Sequence, residues 1–137
     1  MTRFLQINLN RCWVAQAQMA QAANDLGTDV IIASEQNNTP QNGRWHADTT
    51  GSAAVVTLGR TPVDELGDAG PGYAWVRIGG VRVYSCYASP NGTWAAYCNF
   101  LSRLEVSIRG GTGEILLAGD FNAKNVGWGS SWGSSLG

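Results

Sequence analysis

The chain has 137 residues, of which 44% are hydrophobic and 14% are charged. This composition excludes a disordered chain, because disorder requires few apolar residues and a high net charge. No apolar run approaches the roughly 20 residues that a membrane-spanning helix needs. Nine Lys and Arg against ten Asp and Glu give a formal net charge of -1, whereas proteins that bind nucleic acid unaided usually have a basic excess. The charge therefore argues against tight unaided DNA binding, but it permits an enzyme that meets phosphates at a metal site.

The first quarter of the chain alternates between strand and helix signals. An apolar run over residues 4–9 predicts a buried strand, and residues 30–33 predict a second one. Between them Asn10 is predicted to cap a helix that Gly27 ends. The apolar face of this helix is predicted from residues at helical spacing, namely Ala15, Met19, Ala22 and Leu26.

The rest of the chain predicts several antiparallel strands, a second helix and a last strand. Residues 44–46 and 53–58 have strand-like composition, and Gly79-Gly80 predicts a hairpin turn between two longer strands. Thr93 is predicted to cap the second helix, whose apolar face comprises Tyr97, Leu101, Leu104 and Ile108. Residues 114–118 predict the last strand. This order of elements predicts an α/β layered fold with a mixed, largely antiparallel sheet and flanking helices.

The cysteines and the N-terminus bear on the location of the protein. Cys12, Cys86 and Cys98 are odd in number and widely spaced, which excludes both a disulfide framework and a C-x-x-C metal knuckle. The N-terminus lacks the apolar region of a secretory signal. We therefore expect an intracellular location, either nuclear or cytoplasmic.

Polar side chains follow the downstream ends of several predicted strands, namely Asn8, Glu35, Tyr87, Asp120 and Asn122. Side chains in this position meet at one edge of an α/β sheet, where such proteins commonly bind ligands. A magnesium ion takes one or two protein carboxylates and completes its shell with water and substrate oxygens, so one Glu and one Asp beside neutral amides suit it. The spacing alone is a weak signal, because loops ordinarily carry polar residues that act as caps or turn residues.

Five segments match known motifs in order and at similar spacing. They are Leu5-Gln6-Ile7-Asn8-Leu9-Asn10, Ala33-Ser34-Glu35-Gln36, Tyr87-Ala88-Ser89-Pro90, Gly119-Asp120-Phe121-Asn122-Ala123 and Trp128-Gly129-Ser130. This ordered set resembles the endonuclease/exonuclease/phosphatase superfamily, in particular the apurinic-endonuclease-like domain of insect-type non-long-terminal-repeat (non-LTR) retrotransposons. The resemblance covers nearly all of residues 3–132.

The resemblance implies divalent-metal chemistry at these residues. Glu35 is expected to ligate the metal, Mg2+ or Mn2+, and Asn8 to hold metal-bound water or the phosphate. A metal in this position polarises the phosphoryl group. The implied activity is metal-dependent hydrolysis of DNA phosphodiesters, as the endonuclease domain of a retroelement.

The other matched residues are expected to act on the substrate. The resemblance implies that Tyr87 donates a hydrogen bond to the phosphate, that Asp120 orients the attacking water, and that Asn122 holds a nonbridging oxygen or that water. Fixed donors of this kind stabilise the charge that builds up in the transition state. Ser89 and Trp128 are expected to lie close to the substrate.

The resemblance also implies what this sequence lacks. The family continues into a second sheet and a Ser-Asp-His motif, whereas the only histidine here is His46, in an early predicted strand. We therefore expect half of a four-layer α/β sandwich with its second sheet missing, formed by residues 1–126 and followed by a Gly/Ser/Trp-rich tail at 127–137. We expect the chain to be inactive alone, because a missing acid or base group costs on the order of 100- to 10,000-fold in rate.

The expected partners are DNA, the C-terminal half of the domain and a reverse transcriptase in a parent polyprotein, with no membrane. Two alternatives stay open. One is a catalytically dead fragment or interaction module, and the other is a related phosphoesterase that acts on a substrate other than nucleic acid.

Overall fold

The fold consists of two four-stranded sheets packed face to face, with one helix on each outer face. A computed structural model of the protein describes residues 1–122, so the predictions for the tail at 127–137 and for Trp128 lie outside the described residues. The elements in chain order are β1 (Phe4–Asn8), α1 (Trp13–Asp25), β2 (Val30–Ser34), β3 (Trp45–Ala47), β4 (Ala53–Thr57), β5 (Glu65–Gly70), β6 (Tyr73–Ile78), β7 (Val81–Tyr87), α2 (Trp94–Arg109) and β8 (Ile115–Asp120).

The first sheet has the strand order β1-β2-β4-β3. β1 and β2 are parallel and joined by α1, whereas β4 runs antiparallel to both β2 and β3. Every residue of β2 and β4 is buried, because one face of the sheet meets α1 and the other meets the second sheet. The continuous apolar runs of these two strands are typical of strands covered on both faces.

The second sheet has the strand order β5-β6-β7-β8. β6 and β7 form the predicted hairpin, and Gly79 and Gly80 have φ values of 58° and 84° at its turn, which are accessible to glycine at no steric cost. β7 and β8 are parallel and joined by α2. Each sheet therefore contains one parallel pair and ends its parallel strands at the same rim.

Three apolar clusters hold the four layers together. The central one lies between the sheets and combines Val30, Ile32 and Val55 of the first with Val76, Ile78 and Val83 of the second. A second cluster joins α1 to the first sheet through Met19, Ala23 and Ile31, among others. The third joins α2 to the second sheet, with Phe100 and Leu104 at its centre.

The helices differ in how well their patterns predicted them. The Thr93 side chain caps α2 by accepting a hydrogen bond from the Ala96 amide at 3.0 Å, as predicted. The prediction that Asn10 caps α1 was wrong, because Cys12 occupies the N-cap position without a side-chain hydrogen bond. Leu26 was predicted on the apolar face of α1, but it is 61% exposed. Neither helix described in residues 1–122 has the length and apolar character needed to cross a bilayer.

The expectation of a missing second sheet is not confirmed, because residues 1–122 contain both sheets and a helix outside each. The sequence pattern predicted one mixed sheet because it gave no strand signal for Glu65–Gly70, which is rich in glycine. This strand forms the edge of the second sheet and pairs with β6 across a register shift between Leu66 and Ala69.

One flank of the sandwich carries two unpaired strand edges within residues 1–122. β1 is the edge of the first sheet and β8 the edge of the second, and Gln6 Nε2 donates to the Gly119 carbonyl at 2.9 Å between them. Phe4 is 41% exposed, and Ile115 and Leu117 are each 39% exposed. We call this surface, formed by β1 and β8, the open flank.

Candidate active site

Predicted site residues of both sheets meet at the rim where the parallel strands end. In the first sheet Asn8 lies opposite Ser34 at the ends of β1 and β2, and Glu35 follows directly. In the second sheet Tyr87 lies opposite Asp120 at the ends of β7 and β8. Since β1 and β8 are neighbours across the two sheets, both groups of strand ends reach one place.

The Asn8 side chain joins the two carboxylates of the site. Its Nδ2 donates to Glu35 Oε2 at 2.6 Å and to Asp120 Oδ2 at 3.1 Å. Its Oδ1 accepts a hydrogen bond from the Asn10 amide at 2.8 Å, which fixes the orientation of the side-chain amide. The carboxylates of Glu35 and Asp120, which lie 85 positions apart in sequence, are therefore held on either side of one nitrogen atom.

These two carboxylates have no cationic side chain bonded to them in the described part of the chain. The ion pairs found there join Arg77 to Glu65 and Arg109 to Glu105, both away from the rim. Two like charges held close together without a counter-ion attract a cation. The rim thus combines uncompensated negative charge with partly buried oxygen atoms.

The donor set fits a hard divalent ion. Carboxylate oxygens such as those of Glu35 and Asp120 are the ligands that Mg2+ and Mn2+ prefer. Residues 1–122 contain no group of three or more His, Cys, Asp and Glu side chains placed to hold a metal. A magnesium site needs only one or two carboxylates, whereas a structural zinc site would need four protein ligands.

The backbone at the rim adopts conformations that residues other than glycine rarely adopt. Within residues 1–122 the non-glycine residues with positive φ are Asn10, Arg11, Glu35 and Asn122, with values between 45° and 58°. For Arg11 and Glu35 this conformation costs of order 1–3 kcal/mol and persists only where the surroundings determine it, whereas asparagine tolerates the left-handed region more readily. All of them lie at this rim, and concentration of strain at one place is typical of a functional site.

Gly119 allows the strand that carries Asp120 to approach its neighbour. A Cβ atom at this position would lie 2.0 Å from the Cys86 carbonyl oxygen, and the φ of Gly119 is 143°. Past the strand end, Asn122 Nδ2 donates to the Ala88 carbonyl at 2.7 Å, and the Asn122 amide donates to Asp120 Oδ1 at 3.3 Å. These contacts fix the segment around Asp120 against the end of β7.

Tyr87 faces the negative charge of the rim. Burial raises the pKa of Tyr87, and the carboxylates of Glu35 and Asp120 raise it further, while the charge of Arg11 and a hydrogen bond with Ser89 act in the opposite direction. Tyr87 therefore stays protonated at neutral pH and can donate a hydrogen bond. The structure places Ser89 within hydrogen-bonding reach of Tyr87, and the roles assigned to both from the sequence stay predictions.

His46 lies at the opposite flank from Asn8 and Asp120. It belongs to β3, the far edge of the first sheet, and its Nε2 pairs with the Gly67 carbonyl in β5 at 2.9 Å. This contact joins the two sheets, so His46 has a structural partner and no place at the rim.

Two rim residues were missed by sequence reasoning. Arg11 bonds to main-chain and side-chain atoms of the segments that flank Glu35. Asp48, which is 6% exposed, accepts bonds from the amides of Ser52, Ala53 and Gly72. No sequence signal marks either residue, because most of their partners are backbone atoms.

Comparisons with known proteins show the fold. No protein-family model matches the sequence, and no curated protein matches it significantly. The endonuclease domain of TRAS1, a telomere-specific non-LTR retrotransposon, matches with a TM-score of 0.70 at 22% identity, over 99% of this chain and 68% of that one.

Two further solved structures share the fold at lower similarity. An AP endonuclease from Archaeoglobus fulgidus has a TM-score of 0.65 at 14% identity, over 91% of this chain and 59% of its own. An endonuclease/exonuclease/phosphatase family protein from Leptotrichia buccalis C-1013-b has a TM-score of 0.57 at 16% identity, over 98% and 71%. The chain therefore has the endonuclease/exonuclease/phosphatase fold, and the resemblance predicted from the sequence is confirmed at the level of the fold.

Proposed function

We propose that this chain is part of a DNA endonuclease that hydrolyses phosphodiesters with the help of a divalent metal ion. The observation that carries the proposal is the Asn8 amide, which holds the carboxylates of Glu35 and Asp120 together without a cationic partner. Structural carboxylates usually receive enough donors or a cation to balance their charge. Two carboxylates without a cationic partner, placed at the C-terminal ends of strands, are suited to binding a metal ion together with a phosphate.

Each residue of the rim has a part in this proposal. Glu35, with Asn8 beside it, would hold Mg2+ or Mn2+, which when bound polarises the phosphoryl group and offsets its charge. Asp120, held beside Glu35 by the same Asn8 amide, adds its negative charge to the metal site and orients the attacking water. Asn122, fixed by its bond to Ala88, holds that water or a nonbridging oxygen. Tyr87 keeps its proton and donates it as a hydrogen bond to the phosphate, where charge increases in the transition state.

DNA is the proposed substrate, with a retroelement as the setting. The support is the likeness to the endonuclease domain of a non-LTR retrotransposon over 99% of this chain. In that setting the nick would leave a 3'-hydroxyl for a reverse transcriptase in the same polyprotein. The net charge of -1 is consistent with a domain that depends on neighbouring parts of such a polyprotein for DNA affinity.

We further propose that turnover by this chain alone is slow. Within residues 1–122 no histidine lies at the rim, because the only histidine of the sequence is bonded to Gly67. A missing acid or base group reduces the rate on the order of 100- to 10,000-fold. Metal binding depends on Glu35, Asp120 and Asn8 and not on the missing acid or base group. This chain should therefore bind metal even though its turnover is slow.

The test combines binding with cleavage. Titration of the purified chain with Mn2+ followed by isothermal calorimetry should give one site, and long incubation of supercoiled plasmid with Mg2+ or Mn2+ should give nicked circles that EDTA prevents. Glu35→Gln and Asp120→Asn should lose both signals. Glu114→Gln is the matched control, because Glu114 is an exposed carboxylate just before the opposite end of β8.

The outcomes separate the proposal from its alternatives. Absence of Mn2+ binding by the wild-type chain would overturn the metal site and favour an interaction module. A different result would favour a phosphoesterase with a different substrate. In that case the chain would bind metal and hydrolyse a small phosphoester, but it would not nick DNA even when the C-terminal half of the domain is supplied.

A further inference from the structure

Glu35 has a backbone conformation that its own sequence does not favour. Its φ is 52°, in the left-handed region that side chains with a Cβ atom enter at a cost. A glutamate there needs surrounding contacts that determine its conformation. The direction of its carboxylate follows from this backbone, so whatever holds the backbone also sets the position of the proposed metal ligand.

Both peptide groups of Glu35 are held by a small set of neighbours. The Glu35 amide donates to the Ser52 carbonyl at 2.8 Å, and the Glu35 carbonyl accepts from the Arg11 amide at 2.7 Å. Arg11 itself has a φ of 58°, so two residues in unusual conformations face each other across this bond. The arrangement joins the loop after β1 to the loop after β2.

The Arg11 guanidinium ties the same two loops to a third. Its Nη1 donates to the Gln36 carbonyl at 2.9 Å and to the Gly51 carbonyl at 3.0 Å, and its Nη2 donates to Ser52 Oγ at 3.0 Å. One side chain thus fixes the peptide on the far side of Glu35 and the turn that accepts the Glu35 amide. Gln36 is fully buried, which prevents the bonded peptide from moving away.

We propose that Arg11 is a positioning residue for Glu35, holding its backbone in the left-handed conformation so that its carboxylate faces Asn8 and Asp120. This inference rests on the proposed function, because it concerns the proposed metal ligand. The planar fork of Arg11 reaches three acceptors in fixed directions. The single ammonium group of a lysine cannot reproduce that geometry.

An electrostatic role is the competing explanation, because the charge of Arg11 also acts on Tyr87. Arg11→Gln removes the fork and the charge, whereas Arg11→Lys removes only the fork. Arg44→Gln is the matched control, because Arg44 Nη1 likewise donates to two main-chain carbonyls, those of Thr57 and Gly59 at 3.5 and 2.9 Å, away from the rim.

The experiment measures Mn2+ affinity by calorimetry and, without metal, the amide exchange rate of residue 11 by NMR. We expect Arg11→Gln and Arg11→Lys to weaken Mn2+ binding by about 10- to 100-fold, the usual range for partners of metal ligands, and to accelerate exchange of the residue 11 amide. Arg44→Gln should change neither quantity.

Each outcome decides the inference. Wild-type affinity in Arg11→Gln overturns it, and wild-type affinity in Arg11→Lys shows that charge rather than positioning matters. If the wild-type chain binds no Mn2+, the proposed function fails and the exchange rate alone decides whether Arg11 holds the Glu35 backbone. Unchanged exchange in Arg11→Gln would then overturn the positioning role as well.

Discussion

Asp48 and the pair formed by Glu35 and Asp120 are carboxylates at the same rim in opposite states of hydrogen bonding. Asp48 Oδ1 accepts from the amides of Ser52 and Ala53 at 2.7 and 3.1 Å. Its Oδ2 accepts from Thr50 Oγ1 at 2.6 Å and from the Gly72 amide at 2.7 Å. Glu35 and Asp120 instead share the two hydrogens of one side-chain amide, and Asp120 has one further donor, the Asn122 amide at 3.3 Å.

The difference separates a carboxylate that holds the fold together from carboxylates that are available to a ligand. A charged acceptor with several donors balances the cost of its own burial and leaves nothing for a further partner. Asp48 links the turn before β4 to the second sheet through Gly72, so its role is structural. Glu35 and Asp120 share the Asn8 donor, and Asp120 Oδ1 has only the Asn122 amide besides, so both carboxylates keep lone pairs that no donor within residues 1–122 occupies and that a cation can use.

Asp48→Ala should therefore give the largest loss of stability. The variant leaves three buried backbone donors without an acceptor, and each costs about 1–3 kcal/mol, so we expect a loss of at least about 3 kcal/mol. Urea denaturation followed by circular dichroism measures this change. Asp48→Asn keeps one oxygen acceptor and should lose less, and equal stability of Asp48→Ala and wild type would remove the structural role.

A bound metal ion should stabilise the folded chain only through Glu35 and Asp120. At a Mn2+ concentration of about 100 times Kd, binding to the folded state should add about 2.7 kcal/mol to the free energy of unfolding. Removal of the metal with EDTA should abolish this gain. Glu35→Gln and Asp120→Asn should show no gain, while their stability without metal should equal or exceed that of wild type, since like charges no longer repel. A large loss of stability without metal would place these residues in the structural class with Asp48.

Asp68 extends the comparison to a carboxylate outside the rim. Burial acts to raise the pKa of Asp68, but hydrogen bonds from Trp75, Tyr73 and Ser107 outweigh it and hold the pKa below the ordinary value of 3.8. The folded state thus favours the charged form, so this stabilisation is complete above that value and is lost as the pH falls through the lower folded pKa.

Asp68→Asn should consequently cost about 1 kcal/mol at neutral pH, a modest figure because the side chain is exposed. The difference from wild type should shrink as the pH falls below about 4. Thermal unfolding at a series of pH values measures it. A difference that stays constant down to pH 2 would mean that the charge of Asp68 contributes nothing.

The smallest expected effect is on the titration of two tyrosines. Glu35→Gln should lower the raised pKa of Tyr87 towards its ordinary value, although burial, the larger cause, remains. The same variant should not change Tyr73, whose pKa burial and Asp68 raise to about 12. NMR of 13C-labelled tyrosine distinguishes the two rings, and Asp68→Asn provides the reciprocal control.

The sequence predicted those parts of the fold whose signals are local. The hairpin at Gly79-Gly80 depends on two adjacent residues, and the cap at Thr93 acts on the next turn of chain, so both were visible. The buried face of α1 was misread because many small residues stand there, and alanine packs or faces solvent with little difference in free energy. β5 was missed because its glycines carry no strand preference.

The site was predictable to the extent that strand ends define it. Parallel pairing of β1 with β2 and of β7 with β8 places polar residues after each strand at one rim, and the motif around Asp120 identified which of them to group. The contacts of Arg11 and Asp48 were not predictable, because they join main-chain atoms of loops that are distant in sequence. The roles assigned to the rim residues remain predictions for the tests above.

The open flank has a consequence for the handling of the protein. Strand edges recruit extended polypeptide through main-chain bonds with little regard for its identity, and here two edges stand beside each other with Phe4 and Leu117 partly uncovered. Aggregation should therefore increase with protein concentration. A charged substitution at Leu117, such as Leu117→Lys, should reduce it and keep samples monomeric for spectroscopy. Attachment tags would best be placed away from this surface.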